Sequence, residues 1–223
     1  MRVKPVALVL VTGSGPGLGK STLARTLAER FRLAGYQVAL FAEEEIGSNS
    51  AFAGVMEEFQ SSGRVALPTL LQASSKYLDI LDESDVQVAV LDALFAFLPS
   101  LLAWGCADHE IAEFFQHMAD LLTERPVLEI HLIGDLVDGL ARAGAREGND
   151  WLDRHVLKVS TYEGAPRVSD IRDAASYLED LEHRSVSLLH NAPWRVEFLD
   201  VDSGFASVAS EAAAIVESLL KSS

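Results

Sequence analysis

A single cysteine, Cys106, stands in the 223 residues, so no disulfide can form within the chain, as suits a reducing compartment. The six histidines are scattered, with no pair at metal-ligand spacing, which argues against a zinc site. Positive charge is scarce too. Lys and Arg number 18 against 33 Asp and Glu, for a net charge of −15. So acidic a surface repels nucleic acid and anionic membranes, although a nucleotide can still bind in a locally positive pocket. Long hydrophobic runs are missing as well. Residues 6–11 are too few for a signal-peptide core, and residues 94–104, the greasiest stretch, are too few to span a bilayer and contain Pro99. No repeat, low-complexity tract or linker divides the chain. These absences predict one soluble, cytoplasmic domain over 1–223, without a nucleic-acid or membrane partner.

What is present alternates. Residues 6–11 form a valine-rich apolar run suited to a strand buried on both faces. Residues 21–34 carry Leu23, Leu27 and Phe31 at helical spacing and stop at Gly35. Further strands are predicted at 38–42, 86–91, 127–133 and 196–201. Between and after them, helices are predicted at 51–60, 68–81, 94–104, 111–122, 171–189 and 206–220, with another starting at 135–143. A charged stretch, "RAGAREGND", follows that last start. The alternation predicts an α/β fold, a three-layer sandwich with a five-stranded parallel sheet and helices on both faces.

Between the first strand and first helix lies "GSGPGLGKST". Gly19, Lys20 and Ser21 match the end of the G-x-x-x-x-G-K-[ST] phosphate loop, whereas Ser14 replaces its first glycine. Gly13, Gly15 and Gly17 surround the serine and supply backbone freedom. Residues Gly13, Ser14, Gly15, Pro16, Gly17, Leu18, Gly19, Lys20, Ser21 and Thr22 are therefore predicted to cradle the phosphates of ATP. Lys20 would bridge the β- and γ-phosphates, and Ser21 would ligate Mg²⁺ with Thr22 beside it. Ligands of open α/β sheets sit at the carboxyl ends of the strands. Glu43 and Asp92 follow strands two and three and become candidates for proton transfer, with Asp92 also a candidate for the metal.

This order of parts resembles the thymidylate kinase and deoxynucleoside kinase group of P-loop kinases, over most of the chain. "GYQVALFAEEE" resembles the family's second strand, with Glu43 on its acid. "PTLLQASSKYLDIL" resembles the substrate-side helix, with Gln72 at a base-reading glutamine and Lys76 at an arginine position. "VAVLDALFAFLPSLLAWG" resembles the third strand and its helix, "LARAGAREGNDWL" an arginine-bearing lid at about 142–170, and "VEFLDVD" the strand whose loop approaches adenine. The resemblance implies a kinase using ATP and Mg²⁺, with Arg142 or Arg146 closing over the transferring phosphoryl group. Arg154, Arg167 and Arg172 stand in reserve. It also implies a homodimer, built on 94–104 or its neighbours.

The departures bear on the acceptor. Ala42 and Ala93 stand where the family carries arginines, and Glu44 replaces a proline. Two lost cations and a gained carboxylate disfavour a dianionic acceptor. The expected acceptor is a hydroxyl of a nucleoside, a nucleoside-like compound or another small natural product. The rivals are an ATP-binding regulator with little turnover and a divergent thymidylate kinase. Lys20→Ala is expected to abolish acceptor-dependent ADP release; a fully active variant would remove the phosphate-loop reading.

Overall fold

The computed structural model describes residues 5–92, 94–95, 97–163, 165 and 167–222. Five parallel strands, β1 (Ala7–Thr12), β2 (Val38–Phe41), β3 (Val88–Asp92), β4 (Val127–Ile133) and β5 (Arg195–Asp200), lie in the order β2-β3-β1-β4-β5. The predicted α/β sheet is thus present. Composition explains the order. Every residue of β1 and β3 is buried, as central strands covered on both faces require, whereas β2 is mostly half-buried and β5 begins and ends exposed. β1 sits at the centre, with Val11 beside Asp92 on one side and beside Ile130 on the other. The phosphate loop that follows β1 therefore opens between the carboxyl ends of β3 and β4.

Helix α1 (Lys20–Leu33) packs on β2 and β3, and α9 (Phe205–Ser222) lies beside it against β4 and β5. The right-handed crossover rule sends the remaining helices to the opposite face. They are α2 (Ala53–Ser62), α3 (Leu67–Asp82), α4 (Leu98–Ala103), α5 (Asp108–Leu121), α6 (Leu136–Glu147), α7 (Asn149–Ser160) and α8 (Ile171–Leu189).

Two expectations are corrected. The stretch 94–104 is helical only from Leu98 to Ala103. Proline is tolerated in the first turn of a helix, so Pro99 marks where α4 begins. Phe95 and Phe97, ahead of it, take positive φ angles of 70° and 48°. Leu94, Leu98, Leu101 and Leu102 are buried in the chain's own core. Phe114, Phe115 and Met118 are likewise core. Second, the helix that starts at 135–143 does not give way to the charged stretch "RAGAREGND". α6 runs through it to Glu147, Gly148 turns the chain at φ 95°, and α7 follows at once. Trp151, Leu152, Val156 and Val159 supply the helical spacing that marks α7 in the sequence.

The loop lies directly on backbone. A Cβ on Gly17, whose φ is +75°, would meet the Gly139 carbonyl oxygen on α6 at 1.9 Å. Backbone cannot yield as a flexible side chain does. Gly17→Ala is expected to cost about 1–3 kcal/mol of stability, read as a lower urea midpoint; an unchanged midpoint would show the contact to be slack.

Candidate active site

The chain leaves β1 at Thr12 and reaches α1 through three glycines with left-handed or extended-positive angles: Gly13 (φ 154°), Gly17 (φ 75°) and Gly19 (φ 92°). Ser14 is not among the residues with positive φ. The loop's unusual torsions fall on neighbouring glycines, which is why a serine fits at the first-glycine position. Lys20, the first residue of α1, folds back, and its Nζ donates to the Gly15 carbonyl at 2.6 Å. Burial lowers its pKa, while the carboxylates of Glu43, Asp92 and Glu182 pull it back up. The ammonium is thus held on the loop by the Gly15 carbonyl, with three acids near enough to favour its charge.

Asp92, the last residue of β3, is 1% exposed, and neither of its carboxylate oxygens finds a hydrogen-bond partner among the described residues. Burial raises its pKa, opposed by the Ser21 hydroxyl and Lys20 and reinforced by Glu43 and Glu44. An orphaned buried carboxylate beside a helix-start hydroxyl suits a hard cation. Among the described residues no three His, Cys, Asp or Glu converge to hold a metal unaided. Ser21 and Asp92 therefore fit two positions of a hard cation such as Mg²⁺, which would need further oxygen ligands from outside the chain.

The three glutamates after β2 part company. Glu43 lines the cavity above the loop. Glu44 turns outward to an exposed ion pair with Arg25 at 2.9 Å, and Glu45 turns back to accept from the Ala42 N–H at 3.4 Å. The extra carboxylate in the proline position is thus tied to α1 and not aimed at the cavity.

That cavity, of about 530 Å³, is bounded by the loop from Gly13 to Pro16, by Lys20 and Glu43, and by one face of α7. Its volume suits a small ligand. α7 contributes Trp151, Arg154, His155 and Lys158. Trp151 and His155, four positions apart, share a helix face, and their rings stack at 4.9 Å and 12°. His155 Nε2 is buried without a hydrogen-bond partner among the described residues, and its pKa is pushed down to about 4, first by burial and then by Lys158 and Lys20. It is a neutral imidazole between cations. Sequence reasoning held Arg154 in reserve and missed His155 and Lys158, because α7 itself was unread.

The other predicted residues are more dispersed. Arg142, on α6, donates from Nε to the Gly17 carbonyl at 3.2 Å, against the loop. Arg146 faces away, paired with its neighbour Glu147 at 2.8 Å. Gln72 and Lys76 lie on the exposed side of α3, opposite the buried Ala73 and Tyr77, and do not line the cavity. Ala42 is buried, Thr22 is exposed, and Ala93 lies outside the described residues.

Beneath the loop runs a buried polar chain that the sequence did not announce. The Ser14 N–H donates to Glu182 Oε2 at 3.2 Å, and the Ser14 hydroxyl meets that of Ser185 at 3.2 Å. Glu182 Oε1 faces His131 Nε2 at 3.3 Å, and His131 Nδ1 meets Thr12 Oγ1 at 2.8 Å. Thr12 reaches Glu129 at 2.7 Å, and Trp194 Nε1 donates to the other Glu129 oxygen at 2.8 Å. Burial raises Glu129. Burial would raise Glu182 too, but its hydrogen bonds with His131 and Ser14 outweigh that and hold its carboxyl below the usual range.

No family model and no curated protein matches the sequence. Solved structures do match its shape. Thymidylate kinase from Ehrlichia chaffeensis superposes with a TM-score of 0.57 at 12% identity, over 95% of this chain and 98% of that one. The YorR protein of Bacillus subtilis, solved in complex with phosphorylated GDP, superposes with a TM-score of 0.55 at 13% identity, over 95% and 96%. Likeness at such low identity concerns the fold.

The neutral imidazole is open to test. With a folded pKa near 4 against about 6.5 unfolded, His155 takes up its proton more readily unfolded. Its contribution to stability is therefore full above about pH 6.5 and is lost as pH falls towards 4. The His155 ring resonance is expected to stay flat from about pH 8 to 5.5 in an NMR titration; an inflection near 6.5 would place the ring in solvent.

Proposed function

We propose that this chain, which has the fold of a P-loop kinase of thymidylate kinase type, is an ATP-dependent phosphotransferase acting on a small hydroxylated acceptor. A nucleoside, a nucleoside-like compound or another small natural product is the expected acceptor class. One observation carries the reading. The loop with Lys20 and an acid with an open face, Glu43, border the same cavity of about 530 Å³, with the orphaned Asp92 carboxylate beside Ser21.

The roles follow from charge. Loop N–H groups and Lys20 hold the β- and γ-phosphates, where positive partial charge is concentrated at the start of α1. Ser21 and Asp92 would hold Mg²⁺, which when bound neutralises phosphate charge. Glu43 accepts the proton of the attacking hydroxyl from the side of the cavity facing the loop. Arg154, on the same wall as Lys158, stabilises the charge that spreads over the transferring phosphoryl oxygens. Arg142 is held on the Gly17 carbonyl and sets the loop against α6. Ile46, Phe97 and Tyr162 supply apolar wall for a ring-bearing acceptor.

A second reading is favoured by α7. Arg154 and Lys158 return two cations to a site whose strand-end arginine positions are alanines. They support an acceptor that already carries a phosphate, as a nucleoside monophosphate does.

Acceptor-dependent ADP release across nucleosides, nucleoside monophosphates and hydroxylated natural products tests the proposal. ATP binding with no such release over the whole panel would make the protein a nucleotide-gated regulator instead. Arg154→Ala separates the two acceptor classes. If the arginine serves the transferring group, kcat falls about 10²-fold or more with KM for the acceptor little changed. If it holds an acceptor phosphate, the loss lies mainly in KM.

A further inference from the structure

We propose that Glu182 is a positioning residue for the phosphate loop, a carboxylate that clamps the Ser14 backbone from beneath and so decides which loop amides face a nucleotide. The inference rests on the nucleotide-binding reading given above.

Glu182 and Ser185 stand three apart on α8, so one helix face presents both to the loop. Each takes one group of Ser14, the carboxylate its N–H and the hydroxyl its Oγ, and all three residues are buried. A buried N–H cannot be left without an acceptor. At this point of the loop the acceptor is a side chain of the protein, not a phosphate oxygen. The Ser14 amide is turned down to α8, and the amides after it remain for the ligand. Gly15, next in the chain, holds the Lys20 ammonium on its carbonyl, so the clamp also fixes the perch of the lysine. Glu182 further adds negative charge within reach of Lys20.

The clamp is itself braced. His131 holds the second oxygen of Glu182, and Thr12 holds His131. Proton accounting shows why Glu129 belongs to the chain. If Glu129 is protonated, it donates to Thr12, Thr12 donates to His131 Nδ1, and the Nε2–H donates to Glu182. If the proton moves to His131, Thr12 donates to Glu129 and the imidazolium donates at both ends. Both arrangements carry the same number of protons and the same net charge, and both leave Glu182 an acceptor for Ser14. A single buried proton thus keeps the brace intact in either form.

An alternative role for Glu182 is purely electrostatic, as a negative charge near the phosphates. The two roles differ in sign. A charge that only repels phosphate would, on removal, tighten ATP binding. A clamp would, on removal, weaken it.

Titration calorimetry with ATP-Mg²⁺ and the Ser14 amide resonance test this together. Glu182→Ala is expected to weaken binding about tenfold or more and to shift the Ser14 amide proton upfield. Glu182→Gln keeps an acceptor of the same length for the Ser14 N–H and is expected to bind within about threefold of wild type, with that resonance in place. Glu182→Asp keeps the charge but shortens the reach and is expected to behave like Glu182→Ala; it carries the test should the alanine variant fail to fold. Unchanged or tighter binding by Glu182→Ala or Glu182→Asp overturns the proposal. Wild-type protein that binds no ATP-Mg²⁺ overturns the functional reading instead, and the Ser14 amide shift in the variants then decides the clamp alone.

Discussion

The close approach of two backbones, the phosphate loop at Gly17 and α6 at Gly139, is the constraint on which the site depends. No side chain fits between them, and a Cβ on Gly139 would in turn come within 2.9 Å of the Pro16 carbonyl. This contact brings α6 under the loop, lets Arg142 reach the Gly17 carbonyl, and carries α7 to the opposite wall of the cavity. The central position of β1 delivers the loop to this place, and the glycines let it settle there. The same economy explains Ser14: a side chain is admitted where the torsion is ordinary and where α8 offers it partners.

The parts legible in the sequence are those set by short-range rules. Residues 127–133 and 171–189 match β4 and α8 at both ends, because unbroken apolar content and clean amphipathic spacing mark them. The loop was legible through Gly19, Lys20 and Ser21, a pattern tied to its chemistry. The positions of Glu43 and Asp92 followed from strand ends. Less legible were features that depend on what surrounds a residue. Charge and glycines in "RAGAREGND" hid a helix-to-helix joint, and with it the wall that carries Arg154, His155 and Lys158. The greasy 94–104 stretch reads as helix by hydrophobicity alone, yet Pro99 and tertiary packing confine the helix to its second half. The polar chain from Glu129 to Ser14 spans three separate segments, so no local window contains it.

Charge is distributed unlike what the composition suggests. An acidic chain concentrates Lys20, Arg154 and Lys158 around one cavity. The alanine at position 42 removes a cation from the sheet side, and α7 supplies cations from the helix side. The cations that line the cavity thus come from the loop and from α7. His155 fits this arrangement because burial, with the Lys158 and Lys20 ammonium groups near it, keeps its imidazole uncharged.

Gly148 gives this arrangement a mechanical character. It is at once the last cap of α6, which is anchored on the loop through Arg142, and the first cap of α7, which is not. One residue therefore forms the chain's joint between the two helices, and α7 also packs on α6 and α8. At about 1.5 Å of rise per residue, Arg154 sits roughly 9 Å from that joint and Lys158 roughly 15 Å. A turn of about 10° at Gly148 would carry Arg154 by about 1.6 Å and Lys158 by about 2.6 Å. The distance between the charges of α7 and the loop is thus set jointly by the torsions of this one glycine and by the packing of α7 on α6 and α8.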